Sequence, residues 1–510
     1  MSKLNIRTLS LLSLMMVLSP FVHAQVTPSW VNQVQSTPAP ELTTSSYGNI
    51  PRVCDVLYSG NNIYSCGMLN GVKANFGSLV VHSDTNRPNR MYNSTDFRND
   101  YLNGFVASAD MQGNYQWVKM ISYSNIDYPD SLLVSPSSNN YWPLANTAYR
   151  ICKGEAGNIY VTGSFIADSV FWDKQLIYTP PRVFVPNTPV SFPYVNHYLI
   201  KISPSGQLLW SRFWKSGEGS AIINAFATNG KIVVHELTGG LDYQGITFGG
   251  SSGIQGWTIR FNPDGSFDGA GLLNPDPFSN TYLTSSFHSP LTKNAVVLKS
   301  LNAWSSGPLA DNFEKKGARI QVFDSTLALV KNFPVYGVNS QSDTVIIVLE
   351  SAVEDFDGNI TCMAKLNMFL PISSECGVLV NGTFARVAIV YPPFASETYI
   401  LFRLNKDGCI QWANQIQSIH SNGLVHFPNG SLAAIRTPDP FLVNLDGSKQ
   451  VDSTSIVYYD QNGRITGGSQ SILMDKTLMF SWNTSFAGSP EAFSRMSPTP
   501  DGFVGSYGRG

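Results

Sequence analysis

Apolar and polar residues alternate in short runs along much of the chain, as in Trp257-Thr258-Ile259-Arg260-Phe261 and Arg319-Ile320-Gln321-Val322. A period of two puts successive side chains on opposite faces of a strand. Beyond the first two dozen residues, no long stretch keeps the helical period. Gly, Asn and Asp recur between the runs and supply the positive φ angles that tight hairpins need. The pattern predicts an all-β chain of many short antiparallel strands.

The runs repeat. One unit, a turn with Gly or Asn followed by an alternating strand, appears at Asn62-Ile63-Tyr64, Gly157-Asn158-Ile159-Tyr160, Gly230-Lys231-Ile232-Val233 and Lys293-Asn294-Ala295-Val296. It continues at Gly358-Asn359-Ile360-Thr361, Asn429-Gly430-Ser431-Leu432 and Asp501-Gly502-Phe503-Val504. The seven copies lie about 73 residues apart. A second unit, strand, polar turn and strand, often with Trp, alternates with the first. FVASADMQGNYQWVKM, YLIKISPSGQLLWSRF and ILFRLNKDGCIQWANQ are examples. Each repeat is then two hairpins, with strands A to D. Four-stranded units repeated radially predict a seven-bladed β-propeller of antiparallel blades, a fold that leaves only short, protected edges. Stacked sandwiches are the alternative, but they have no need of one two-hairpin unit seven times.

The two ends of the chain are expected to meet. Trp30-Val31-Asn32-Gln33-Val34 matches the D-strand form of Trp412-Ala413-Asn414-Gln415-Ile416. The C-terminus supplies an A strand near 491–498 and a B strand near 502–508. The N-terminal strand is therefore expected to close the seventh blade. That blade is incomplete unless Leu478–Phe486 serves as its C strand.

GEAGNIYVTGSF, FWDKQL and HYLIKISPSGQLLW, between residues 154 and 210, resemble the SBBP-type propeller repeat of exported bacterial proteins. The resemblance is close in the second repeat and fair in the first and fifth. It extends over nearly the whole mature chain, and what it implies is architecture and export rather than an activity.

Composition narrows the function. The chain has 510 residues, and 43% are apolar, enough for a large core. Only 13% are charged, with 33 Lys and Arg against 35 Asp and Glu. No basic excess is present to neutralise phosphates, so nucleic acid is not an expected partner. Lys3 and Arg7 precede an apolar run from Leu9 to about Val22, and Val22-His23-Ala24 ends in a small residue. This reads as a signal peptide over 1–24, followed by a single propeller domain over 25–510 with no membrane span. Localisation is expected to be extracellular, cell-surface or periplasmic. Export permits disulfides, and Cys54 and Cys66 flank a turn near Gly60, which would set them opposite each other for a bridge.

Candidate chemistry is sparse. Gly249-Gly250-Ser251-Ser252-Gly253 fits the G-x-S-x-G pattern, but it joins strands and no helix follows. Asp355-Phe356-Asp357-Gly358-Asn359 lacks the spaced ligands of a calcium loop and sits where the other repeats have a turn. The histidines form no HxH or HExxH, so no metal or other cofactor is expected. The strand-borne Trp residues are expected to pack between blades.

What remains is geometric. If strands run A to D in order, the A–B and C–D turns share one face and the long B–C and D–A connections share the other. The long connections are 121–147 and, roughly, 83–102, 166–196 and 367–396. Loops on one face of a rigid scaffold commonly build binding sites. Tyr123, Tyr128, Tyr141 and Trp142 fall in one of them, and Tyr178, Phe184, Phe192 and Tyr194 in another. Of these, Tyr128, Tyr141, Trp142, Tyr178, Phe184, Phe192 and Tyr194 are the candidate binding residues, able to stack on sugars or anchor a protein. The alternative is that the loops fold down and bury their rings, with Pro180, Pro181, Pro186, Pro189 and Pro193 stiffening the second. The function expected is a non-enzymatic binding or scaffolding protein for a glycan or protein ligand. A polysaccharide-acting glycosidase or lyase, with Asp127 and Asp130 in the right loops, is the alternative.

Overall fold

The computed structural model describes residues 34–37, 52–70, 73–82, 102–124, 147–165, 169–179, 195–217, 220–249, 255–273, 281–289, 292–301, 317–339, 344–367, 375–388, 397–416, 419–426, 432–436, 453–468, 472–473, 495–499 and 502–506. Apart from one short 3-10 turn at Glu155–Gly157, the regular elements among them are strands. The fold is all-β.

Six four-stranded antiparallel sheets follow one another in sequence order, the fourth and fifth joined by a short pairing of Gly337 and Val338 with Val345 and Thr344. The first is Arg52–Ser59, Asn62–Asn70, Leu102–Asp110 and Tyr115–Ser124. The second is Thr147–Lys153, Ile159–Phe165, Val195–Ile202 and Leu208–Ser216. The third is Ala221–Thr228, Lys231–Thr238, Gln255–Phe261 and Phe267–Leu272. Thr281–His288, Ala295–Leu301, Ala318–Phe323 and Leu329–Asn339 form the fourth. The fifth is Thr344–Glu354, Ile360–Asn367, Glu397–Leu404 and Ile410–Ile416. Ile419–His426, Leu432–Arg436, Ser453–Tyr459 and Ile465–Gly468 form the sixth. Arg495–Thr499 and Gly502–Ser506 make a further hairpin.

The sheets pack face to face, and the core lies in the seams between them. Alternation along a strand decides which seam a side chain enters: Ile159 and Val161 pack with Val106 and Tyr64 of the first sheet, whereas Tyr160 packs with Ile232 and Phe261 of the third. The first strands also touch in order. Arg52–Ser59 packs on Thr147–Lys153, which packs on Ala221–Thr228, and so on through Thr281–His288, Thr344–Glu354 and Ile419–His426 to Arg495–Thr499, which packs back on Arg52–Ser59. This arrangement is propeller-like.

Local sequence explains the turns. Third and fourth strands are joined by Asp110–Asn114, Ser203–Gln207, Asn262–Ser266, Asp324–Ala328, Asn405–Cys409 and Asp460–Arg464, each closed by the same pair of backbone hydrogen bonds. In four of them the opening Asp or Asn Oδ1 accepts from the backbone N–H groups two and four residues on, the Asx turn that favours these residues. The Asp355–Asn359 segment is such a turn as well, with Asp355 Oδ1 accepting from Asp357 and Asn359.

The strand-borne Trp residues join neighbouring sheets, as expected. Trp117, Trp210 and Trp412 each donate their indole N–H to a carbonyl in the next sheet's turn, Pro204 at 3.1 Å, Pro263 at 3.0 Å and Gln461 at 2.9 Å.

Four extra hairpins depart from the sequence reading. Lys73–Phe76/Leu79–His82, Ser169–Trp172/Gln175–Tyr178, Gly240–Tyr243/Ile246–Gly249 and Glu375–Val380/Thr383–Ala388 lie within connections between second and third strands. The last three add to the fourth strand of the preceding sheet. Parts of the connections 166–196 and 367–396 are therefore edge hairpins rather than free loops. The reason is chemical: each ends its first strand on a buried apolar side chain, Phe76, Trp172, Tyr243 or Val380. The N-terminal strand Val34–Thr37 pairs with Lys73–Phe76.

Cys54 and Cys66 have no disulfide between them. The first strand bulges between Val53 and Asp55, so Asp55 rather than Cys54 is the register partner of Cys66, and a bulge spoils the cross-strand geometry that a bridge demands.

Candidate functional site

In every four-stranded sheet the strands run antiparallel in chain order. The second–third and fourth–first connections therefore leave from one face, opposite the tight turns. By sequence position the candidate aromatic segments belong to connections of these two kinds. Tyr128, Tyr141, Trp142, Phe184, Phe192 and Tyr194 lie outside the described residues, as do Asp127 and Asp130.

Tyr178 lies on the second edge hairpin and is half-buried. Its ring stacks on Phe213 with centroids 4.0 Å apart and meets Phe165 edge-on at 6.0 Å. Tyr123 is buried and stacks on Phe165, and the Tyr123 and Tyr198 hydroxyls are 3.4 Å apart. Both rings are committed to packing between the first and second sheets. Burial holds the Tyr123 phenol above its ordinary value, so it is a neutral hydrogen-bonding group at any physiological pH.

A polar groove of about 390 Å³ opens at the outer rim between the same two sheets. Lys119, Asp173, Gln175 and Gln207 line it, with Leu208 on one wall. Lys119 Nζ donates to Asp173 Oδ2 at 2.5 Å. Trp172 lies in the floor but is only 4% exposed, so its ring face is not offered to solvent. The sequence reading missed this groove because its residues come together only when the second hairpin adds to the first sheet.

His197 and His235 are fully buried, His288 is half-buried, and His82 is exposed. Among the described residues no three His, Cys, Asp or Glu side chains converge as a metal site would need. Among the described residues no helix is long and apolar enough to cross a membrane.

No protein-family model matches the chain, and no curated protein sequence matches it. Solved structures give weak likenesses. The Dos1 propeller matches with a TM-score of 0.37 and 11% identity, over 90% of this chain and 92% of its own. A mannose phosphorylase from Leishmania mexicana gives 0.25 and 9%, over 66% and 87%. A glycoside hydrolase family 43 arabinoxylan arabinofuranohydrolase from Bacillus subtilis gives 0.26 and 11%, over 80% and 76%. With TM-scores below 0.5, these likenesses assign neither ligand nor activity to this chain.

Proposed function

We propose that the protein is an exported, non-enzymatic seven-bladed β-propeller that binds or scaffolds a glycan or protein ligand through the face from which its long connections leave. The observation that carries this reading is the strand order: sequential antiparallel strands make the second–third and fourth–first connections depart from one side, opposite the side closed by short turns. The succession of first strands, ending where it began, supports the count of seven.

The N-terminal strand is read as the fourth strand of the last blade. Its support is positional, because it carries the Lys73–Phe76 hairpin just as three other fourth strands carry theirs. Export rests on the signal-peptide pattern of residues 1–24.

The experiment is a glycan array probed with residues 25–510 and with the Tyr141→Ala/Trp142→Ala variant. Capture by the parent, weakened at least tenfold in a variant with an unchanged melting curve, supports the reading. Release of reducing sugar from a bound polysaccharide would replace it with the hydrolytic alternative. Capture unaffected by the double substitution would remove these rings from the site.

A further inference from the structure

One strand of the third sheet carries a titratable group into each of its two seams. On Lys231–Thr238, alternation sends His235 toward the fourth sheet and Glu236 toward the second. Glu236 Oε2 accepts the Trp214 indole N–H at 2.7 Å, and Oε1 lies 3.4 Å from His197 Nε2, with both side chains 0% exposed. The other groups against His197 are uncharged: Ser164 at 2.8 Å from Nδ1, Ser220 at 3.0 Å from Nε2, the Gly163 backbone and the Trp214 ring.

The opposite seam is built differently. His235 Nδ1 is 3.0 Å from Ser286 Oγ, and its ring meets Phe226 edge-on at 5.1 Å. Phe226 then stacks on His288 at 4.6 Å. From the third sheet these rings face Phe226. From the fourth they face Ser286 and, beside His288, the cation of Lys293. Among the described residues no carboxylate pairs with either ring, and His288 Nε2 is buried without a partner. Lys299, the nearby buried cation of the fourth sheet, donates to the Leu273 carbonyl instead.

We propose that the third sheet is latched asymmetrically, so that mild acid releases its seam with the fourth sheet while its seam with the second stays indifferent to pH. Burial, aided by His288, holds His235 down to about 3, and burial with Lys293 holds His288 down to about 4. Both are neutral when the seam is closed and take up a proton, at their ordinary value near 6.5, once it opens. Their stabilisation is therefore complete above that value and is lost as pH falls from it.

The other seam cancels. Burial holds His197 down to about 3 and raises Glu236 to about 7. When closed, the pair holds one proton, on the acid. When opened between about pH 4.5 and 6.5 it still holds one, now on the imidazole. The acid-sensitive seam therefore takes up two protons on opening, which raises its opening constant about a hundredfold per pH unit in that window. Carboxylates whose pKa is lowered, such as Asp268 and Asp324, lose their contribution only at lower pH.

The test is hydrogen exchange of residues 25–510 at pH 7.5 and 5.0, corrected for intrinsic exchange. Peptides spanning Ala221–Thr228 and Thr281–His288 should lose protection at pH 5.0, whereas those spanning Ile159–Phe165 and Val195–Ile202 should keep it. Equal loss on both sides of the third sheet, or none on either, overturns the proposal. Urea unfolding against pH gives a second reading: relative to the parent, H235Q should take up one proton fewer in the window and E236Q one more. An E236Q slope no steeper than the parent's refutes the cancellation, and if the variants fail to fold, the exchange comparison on the parent still decides.

Discussion

Gly408 closes the turn Asn405–Cys409 at φ +83°, a conformation that side chains other than glycine's adopt only at a cost. An added Cβ there would run into the ring of Phe333 on the preceding sheet. Phe333 is only 7% exposed and belongs to the largest apolar cluster, so it has little room to move aside. Gly230 is the matched control: its φ is +69° and nothing lies within 4 Å of its Cβ position. Gly230→Ala should therefore cost only left-handed strain, about 1–2 kcal/mol. Gly408→Ala should add overpacking of about 1–3 kcal/mol, for a total of about 2–5 kcal/mol. Urea unfolding of both variants measures the difference directly. Phe333→Leu completes a double-mutant cycle, in which Gly408→Ala should fall back to the strain-only cost, a coupling of about 1–3 kcal/mol. Equal costs at positions 408 and 230, or strict additivity with Phe333→Leu, would refute the claim that this glycine is required by contact between sheets.

Further expectations concern the hairpins, the ring and the cysteines. Lys174 is exposed at φ +76° in the turn of the second edge hairpin, where the third and fourth edge hairpins have Gly245 and Gly382. Lys174→Gly should raise stability by about 1 kcal/mol, read from the unfolding midpoint, because relief of strain outweighs the added chain entropy. Deleting residues 25–37 should lower the unfolding temperature and promote association through the Lys73–His82 hairpin left unpaired; a monomer with an unchanged melting curve would show that Val34–Thr37 does not close the ring. Trp210→Phe keeps most of the apolar contact but loses the bond to Pro263, so it should cost about 1 kcal/mol in the same assay. Mass spectrometry of the unreduced protein should find Cys54 and Cys66 as thiols, and a linked peptide pair would contradict the register seen here.

The sequence by itself determined the class of fold. Side-chain alternation and turn chemistry are local: Asp110, Asn405 and Asp460 cap their own turns, and Ile159 and Tyr160 must face opposite ways whatever surrounds them. The Trp residues were legible for the same reason, since a large ring repeated at one strand position must find a partner on the neighbouring unit. The tertiary structure decided what depends on residues far apart in the chain. The edge hairpins within 166–196 and 367–396 read as loops in the sequence because their pairing partners belong to the preceding sheet. The stacking of Tyr178 on Phe213, thirty-five residues further along the chain, was likewise invisible in the local pattern. A one-residue bulge, invisible in the pattern, set Asp55 rather than Cys54 against Cys66. His235 and Glu236 are adjacent in the chain and differ in fate only because one seam offers a proton-sharing partner and the other does not, which is a property of packing that no local pattern encodes.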